Sequence, residues 1–175
     1  MALESVPPNL LNSTGEHCFQ ACIGMSLAHY GKLGTLTLRD IVRATEKEEE
    51  QVTPMVRIFE WVKSFGVSIE YIEELGEGDT TFTDSLQDVG VKVNLFKPTT
   101  TVALDLVDRG NTVITQVSYT ADTGQQNFEL DHAVFLSPLK RNESVLVLDP
   151  DNMVYGITDL TPLWGRYPNL ISIGA

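Results

Sequence analysis

The segment Cys18–Tyr30, CFQACIGMSLAHY, constrains the fold more than any other part of the chain. At helical spacing Cys18, Ala21, Cys22 and Met25 line one face, and Phe19, Ile23, Leu27 and Tyr30 line another. A helix that is apolar nearly all round is a buried helix, so other elements have to cover it. Gly31 follows as its C-terminal stop. A second helix is expected over Leu36–Ala44, capped by Thr35 or Thr37. A third starts at Thr53-Pro54, ends at Gly66 and turns Met55, Ile58, Phe59 and Val62 inward. Ahead of these, Met1–Glu16 reads as an extended lead-in, and the run Glu46–Glu50 as a solvated loop or helix edge.

Strand signals then take over. Val67–Ile72 and Val91–Phe96 read as strands around a short helix at Thr83–Val89, and Thr99–Val107 as a helix closed at Gly110. Four strand signals follow at Thr112–Tyr119, His132–Leu136, Ser144–Leu148 and Met153–Ile157. Asp159–Trp164 reads as one helical turn and Leu170–Ile173 as a last strand. Helices first and strands last predict an α+β fold, with N-terminal helices packed on a C-terminal antiparallel sheet. No repeat or linker divides the 175 residues, so residues 1–175 form one domain.

Charge and cysteine usage narrow the function. The formal net charge of -12 repels nucleic acid and anionic membranes alike. No secretory signal pattern opens the chain, and no apolar run approaches the ~20 residues needed to span a bilayer. Cys18 and Cys22 sit one turn apart on one helix, where a bridge would require distortion, so both are expected as thiols. A reducing, cytoplasmic location is the expectation.

Cys18 opens the buried helix, where unpaired N–H groups and the positive end of the helix dipole favour a thiolate. The alternative is a small buried hydrophobe, a common fate of cysteine. Cys22, one turn further in, reads as core. A nucleophilic cysteine needs a base, and the chain has three histidines. His29 lies eleven residues along the same helix, about 16 Å from Cys18 at 1.5 Å per residue. His17 adjoins Cys18 but points elsewhere, shaping the helix entry or lying at the surface. His132 opens an apolar strand, and the next strand ends in Asp149-Pro150. With Arg141-Asn142 as the hairpin turn, residue 132 pairs opposite 151 and Asp149 is its diagonal neighbour; shifted by two, 132 lies opposite 149. Either register lets an imidazole meet a carboxylate, whereas the other parity separates them. Asp149-Pro150-Asp151-Asn152 is also a turn sequence, and the two readings are compatible.

With these residues the chain resembles the peptidase C39 family and its C39-like relatives in the papain-like clan. The family's helix reads roughly C-G-P-A-x-x-x-M-x-L-x-Y-Y-G, and Cys18, Ala21, Met25, Leu27, Tyr30 and Gly31 match its spacing. His132 and Asp149-Pro150 match its second signature, and Asp159–Trp164 its short C-terminal helix. The resemblance does not place the stretch Ile72–Lys97, and Phe19-Gln20 stand where the family has Gly-Pro. The resemblance implies a papain-like fold and a Cys18–His132–Asp149 triad. It places Asn12 where the family carries its oxyanion glutamine, six residues before the cysteine. Asn12 reads equally as a turn residue. The resemblance implies no metal or organic cofactor, and His17, Cys18 and Cys22 lack a fourth ligand at a recognised spacing. It leaves three functions: a cysteine peptidase cutting a peptide, such as a leader, through a thioester; an acyl- or amide-transferring enzyme on the same triad, since His17-Cys18 also resembles C39-like acyltransferases; and a non-catalytic peptide-binding domain. The implied partners are a peptide or acyl substrate and a separate transporter or pathway protein.

Overall fold

The structure, a computed structural model, describes residues 17–45, 55–74, 80–118, 132–141, 144–151, 153–164 and 168–175. Asn12, the lead-in, the Glu46–Glu50 run and the Thr53-Pro54 helix start lie outside the described residues. The first described element is α1 (Cys18–His29), followed by α2 (Leu38–Thr45) and α3 (Met55–Lys63). Then come β1 (Ser68–Glu73), α4 (Thr81–Asp88), β2 (Lys92–Leu95) and α5 (Thr100–Asp108). The remaining strands are β3 (Thr112–Val117), β4 (His132–Arg141), β5 (Ser144–Asp149), β6 (Met153–Ile157) and β7 (Asn169–Gly174), with a 3₁₀ turn at Thr161–Leu163.

The architecture is α+β, and the sheet is mixed rather than wholly antiparallel. Its order is β2-β1-β7-β3-β4-β5-β6. β1 and β2 pair in parallel, and every other neighbouring pair is antiparallel. The α4 connection explains the exception, because a parallel pair needs a crossover that returns the chain to the same end. Both sheet faces are covered. On one, Tyr71, Ile114, Phe135 and Ile171 pack with α1, α3 and α4 through Cys22, Met25, Phe59 and Leu86. On the other, Val113, Val134, Leu136 and Leu170 pack with α5 through Ala103, Leu106 and Val107, closed by Leu160 and Trp164. Coverage on both sides is why β3 and β7 are buried along almost their whole length instead of alternating.

α1 is the buried helix that the sequence demands: Gln20 to Leu27 are all buried. Its one fully buried hydroxyl, Ser26, is satisfied by Thr112, whose Oγ1 lies 3.0 Å away. The helix ends in a Schellman arrangement. Gly31 takes φ 66°, its N–H donates to the Ala28 carbonyl at 3.0 Å, and the Lys32 N–H donates to the Leu27 carbonyl at 2.8 Å. Tyr30 then fastens this end to the sheet, donating its hydroxyl to the Ile173 carbonyl at 2.6 Å and accepting the Thr112 N–H at 3.2 Å. From there α1 runs back beneath β3 and β4 toward the end of the sheet where β4 begins. Among the described residues no helix is long and apolar enough to cross a membrane.

Candidate active site

The site forms where the start of α1 meets the start of β4. The Ala133 backbone links the two: its N–H donates to Cys18 Sγ at 3.4 Å, and its carbonyl accepts the Cys22 thiol at 3.5 Å. Two sulfurs one helical turn apart thus hold the two peptide units that flank one residue, which fixes the helix along the strand. Ala133 is itself buried, and its small side chain lets the helix come this close. Cys18 is half-buried and Cys22 fully buried, and both are free cysteines. Burial pushes the Cys22 thiol well above its ordinary value, and the neighbouring charges of Cys18, Asp149 and Asp151 push the same way. Cys22 is therefore core, as its place on the helix suggests.

His132 is the first residue of β4, at the open end of the strand. Its Nε2 lies 2.8 Å from Oδ1 of Asp149, which is fully buried at the end of β5. The hairpin that joins them differs in detail from the expected one. β4 extends to Arg141, which pairs with Ser144, so Arg141 belongs to the strand and not to the turn. The register then shifts between Ser137 and Lys140, and further along Phe135 pairs with Leu148. Pro138 lies in the shifted stretch; it has no N–H to give the ladder, so a regular pairing cannot pass through it. Continuing from Phe135 and Leu148, residue 132 stands opposite 151 and Asp149 is its diagonal neighbour. The displaced turn and the bulge offset one another, and the expected side-chain meeting survives.

Burial on its own would lower the His132 pKa, but hydrogen bonds to Asp149 and to Cys18, with their negative charges, outweigh it and raise it to about 10. The imidazole thus stands between the carboxylate and the sulfur. Since Nε2 is bonded to Asp149, Nδ1 is the nitrogen left for Cys18. His17 takes the N-cap position of α1 without a side-chain capping bond. His29, at the far end of the helix, packs edge-on against Tyr30. Cys18, His132 and Asp149 are brought together, and Asn12 is outside the described residues.

One further residue belongs here. Asp151 donates its backbone N–H to Asp149 Oδ1 at 2.8 Å, and its carboxylate Oδ2 lies 3.9 Å from His132 Nε2. It holds the Asp149 carboxylate in place and adds a second negative charge beside the ring. The sequence carried the signal, because the hairpin register already sets 151 opposite 132. Donor atoms of His132, Asp149 and Asp151 lie within 4.8 Å of one another, a spacing that could hold a cation. Any such ion would compete for Asp149 Oδ1 and for the proton that the raised His132 pKa retains on the ring. Chemically, a sulfur beside a protonated imidazole that is held by a buried carboxylate can attack a carbonyl carbon and protonate its leaving group. No family model matches this chain, and no curated protein matches it by sequence.

Proposed function

We propose that the chain is a papain-like cysteine peptidase of the C39-like type, with Cys18 as nucleophile, His132 as acid and base, and Asp149 as the orienting carboxylate. The observation that carries this reading is the contact chain from Cys18 through His132 to the Asp149 carboxylate, 2.8 Å from Nε2, with the imidazole pKa raised to about 10. A ring that keeps its proton through neutral pH is the counter-charge a thiolate requires, and it has a proton ready for a leaving amine.

In the proposed reaction the Cys18 sulfur adds to the scissile carbonyl. The N–H groups at the start of α1, unpaired within the helix, and the Asn12 amide stabilise the oxyanion. The C–N bond breaks as His132 passes its proton to the amine, leaving a thioester on Cys18. His132, now neutral, takes a proton from water; the hydroxide oxygen bonds to the acyl carbon, the C–S bond breaks, and the acid product leaves. Asp149 holds the ring and balances its charge without taking its proton. A peptide that carries a leader is the proposed substrate class, with a separate transporter or pathway protein as the proposed partner. The two free thiols fit a reducing, cytoplasmic setting.

The test incubates wild type and Cys18→Ala with candidate precursor peptides, with and without an amine acceptor. Cys18-dependent cleavage without acceptor supports the peptidase. Turnover only with the amine moves the reading to an acyltransferase, and equal binding by both proteins without turnover moves it to a peptide-binding domain.

A further inference from the structure

The strand register sets a row of polar side chains beside the proposed nucleophile. Tyr71, Ile171, Ile114 and Phe135 pair in sequence across β1, β7, β3 and β4 and form an apolar row under the helices. Two residues further toward the Cys18 end, the same alternation gives Glu73, Asn169, Gln116 and Ala133 on the same face. This second row is polar in three of its four places. Asn169 and Gln116 lock together: the Gln116 N–H donates to Asn169 Oδ1 at 3.3 Å, and the Asn169 amide donates to Gln116 Oε1. Glu73 closes the row. Its Oε2 accepts the Tyr71 hydroxyl at 2.8 Å, and among the described residues no lysine or arginine is paired with it. Edge-on to Tyr71, at 5.7 Å between ring centres, stands Phe82 of α4, 36% exposed. A half-buried carboxylate held by a tyrosine that itself packs against an exposed aromatic ring is a receptor for a cation.

We propose that Glu73, with Tyr71 and the Phe82 ring packed on it, is a specificity subsite for a lysine or arginine side chain of the peptide substrate, about four residues before the scissile bond. The inference rests on Cys18 being the nucleophile. Ala133 holds Cys18 Sγ, and β4 to β1 is three strand spacings, about 14 Å at ~4.8 Å each. An extended peptide covers ~3.4 Å per residue, so the fourth residue reaches Glu73. The direction follows from the acid. His132 and Asp149 lie on the β4–β5 side of Cys18, so the leaving amine departs there. The acyl part then lies over β3, β7 and β1, with the Gln116 and Asn169 amides beneath its backbone. The net charge of -12 draws a basic segment toward the protein.

The test uses two peptidyl acyloxymethyl ketones, Lys-Ala-Gly-Gly and Gln-Ala-Gly-Gly, and reads the rate of covalent modification at Cys18 by mass spectrometry. Trapping the sulfur does not depend on whether water or an amine is the natural acceptor. The lysine probe is expected to label wild type roughly tenfold faster at low salt, the order of one charge-assisted contact. Glu73→Gln should remove that preference, bringing the lysine probe's rate down to that of the glutamine probe. Glu73→Lys should reverse it toward a Glu-Ala-Gly-Gly probe. Equal labelling of wild type by the lysine and glutamine probes overturns the subsite while leaving Cys18 as nucleophile. A preference that survives Glu73→Gln also overturns it. Failure of every probe to modify Cys18 overturns the subsite and the nucleophile together.

Discussion

Replacing Asp149 by asparagine isolates the electrostatic part of the proposed triad, because the side chain keeps its shape and loses its charge. Asp149 is fully buried, and its Oδ1 receives both the His132 ring, at 2.8 Å, and the Asp151 N–H, at 2.8 Å. A hydrogen bond to a charged group contributes about 1.5–3 kcal/mol, against about 0.5–1.5 kcal/mol for a neutral one. The substitution should therefore weaken the hold on the imidazolium by about 1–2 kcal/mol. At 1.36 kcal/mol per pH unit, that brings the His132 pKa from about 10 to about 9. Cys18 and Asp151 still face the ring, so it stays above the ordinary value of 6.5. A folded-state pKa raised above its unfolded value stabilises the fold fully below about pH 6.5 and loses that stabilisation as pH rises toward 10. The stability gap between wild type and Asp149→Asn should then be about 1–2 kcal/mol at pH 6 and close as pH approaches 10. Ring NMR titration of His132 and urea melts at pH 6, 8 and 10 measure both. An unmoved His132 pKa, or a gap that does not change with pH, would refute the electrostatic account.

Three other outcomes follow from the same geometry. A thiol-reactive electrophile at neutral pH should modify Cys18 and spare Cys22, whose burial holds it as a thiol, and peptide mapping decides between them. Ala133→Val should push α1 away from β4 and cost about 1–3 kcal/mol by overpacking, while slowing Cys18 labelling far more than a Val134→Ala change of similar cost; thermal melts and labelling rates separate the two effects. Asp151→Asn should lower the His132 pKa less than Asp149→Asn does, because its carboxylate is further away at 3.9 Å and 29% exposed, and NMR titration in low and high salt should show the Asp151→Asn shift shrinking with salt while that of Asp149→Asn persists.

What the sequence revealed, and what it hid, follows from how local each determinant is. The end of α1 is legible because a Schellman stop needs only Gly31 and the helix before it. The His132–Asp149 meeting is legible because a hairpin ties residues 17 positions apart through one short connection, and side-chain parity survives a shift of two. The bulge at Ser137–Lys140 was missed, although Pro138 was there to announce it. Strand order was not legible. β7 is buried along its whole length, so its sequence carries no mark of a preferred neighbour, and its place between β1 and β3 comes from packing across the chain. The parallel β1–β2 pair was hidden for a related reason: α4 is only eight residues, and its role as a crossover depends on where β2 docks. The polar row from Glu73 to Gln116 exists only once that order is known.

The position of Cys18 depends on both ends of α1. At 1.5 Å per residue the helix from Cys18 to His29 rises about 16 Å, and β3 from Thr112 to Val117 spans a similar length at about 3.3 Å per residue. The Tyr30 hydroxyl ties the far end of the helix to Ile173 and Thr112, and the Ala133 backbone ties the near end to β4. Between them Ala21, Cys22, Met25 and Leu27 leave no exposed surface, so the helix cannot slide without opening cavities. Sulfur and imidazole come from segments more than a hundred residues apart, and no direct chain connection sets their distance. That distance is set by the match between one helix length and one strand length, fastened at both ends. A change at Tyr30 therefore acts on Cys18 through a rigid rod.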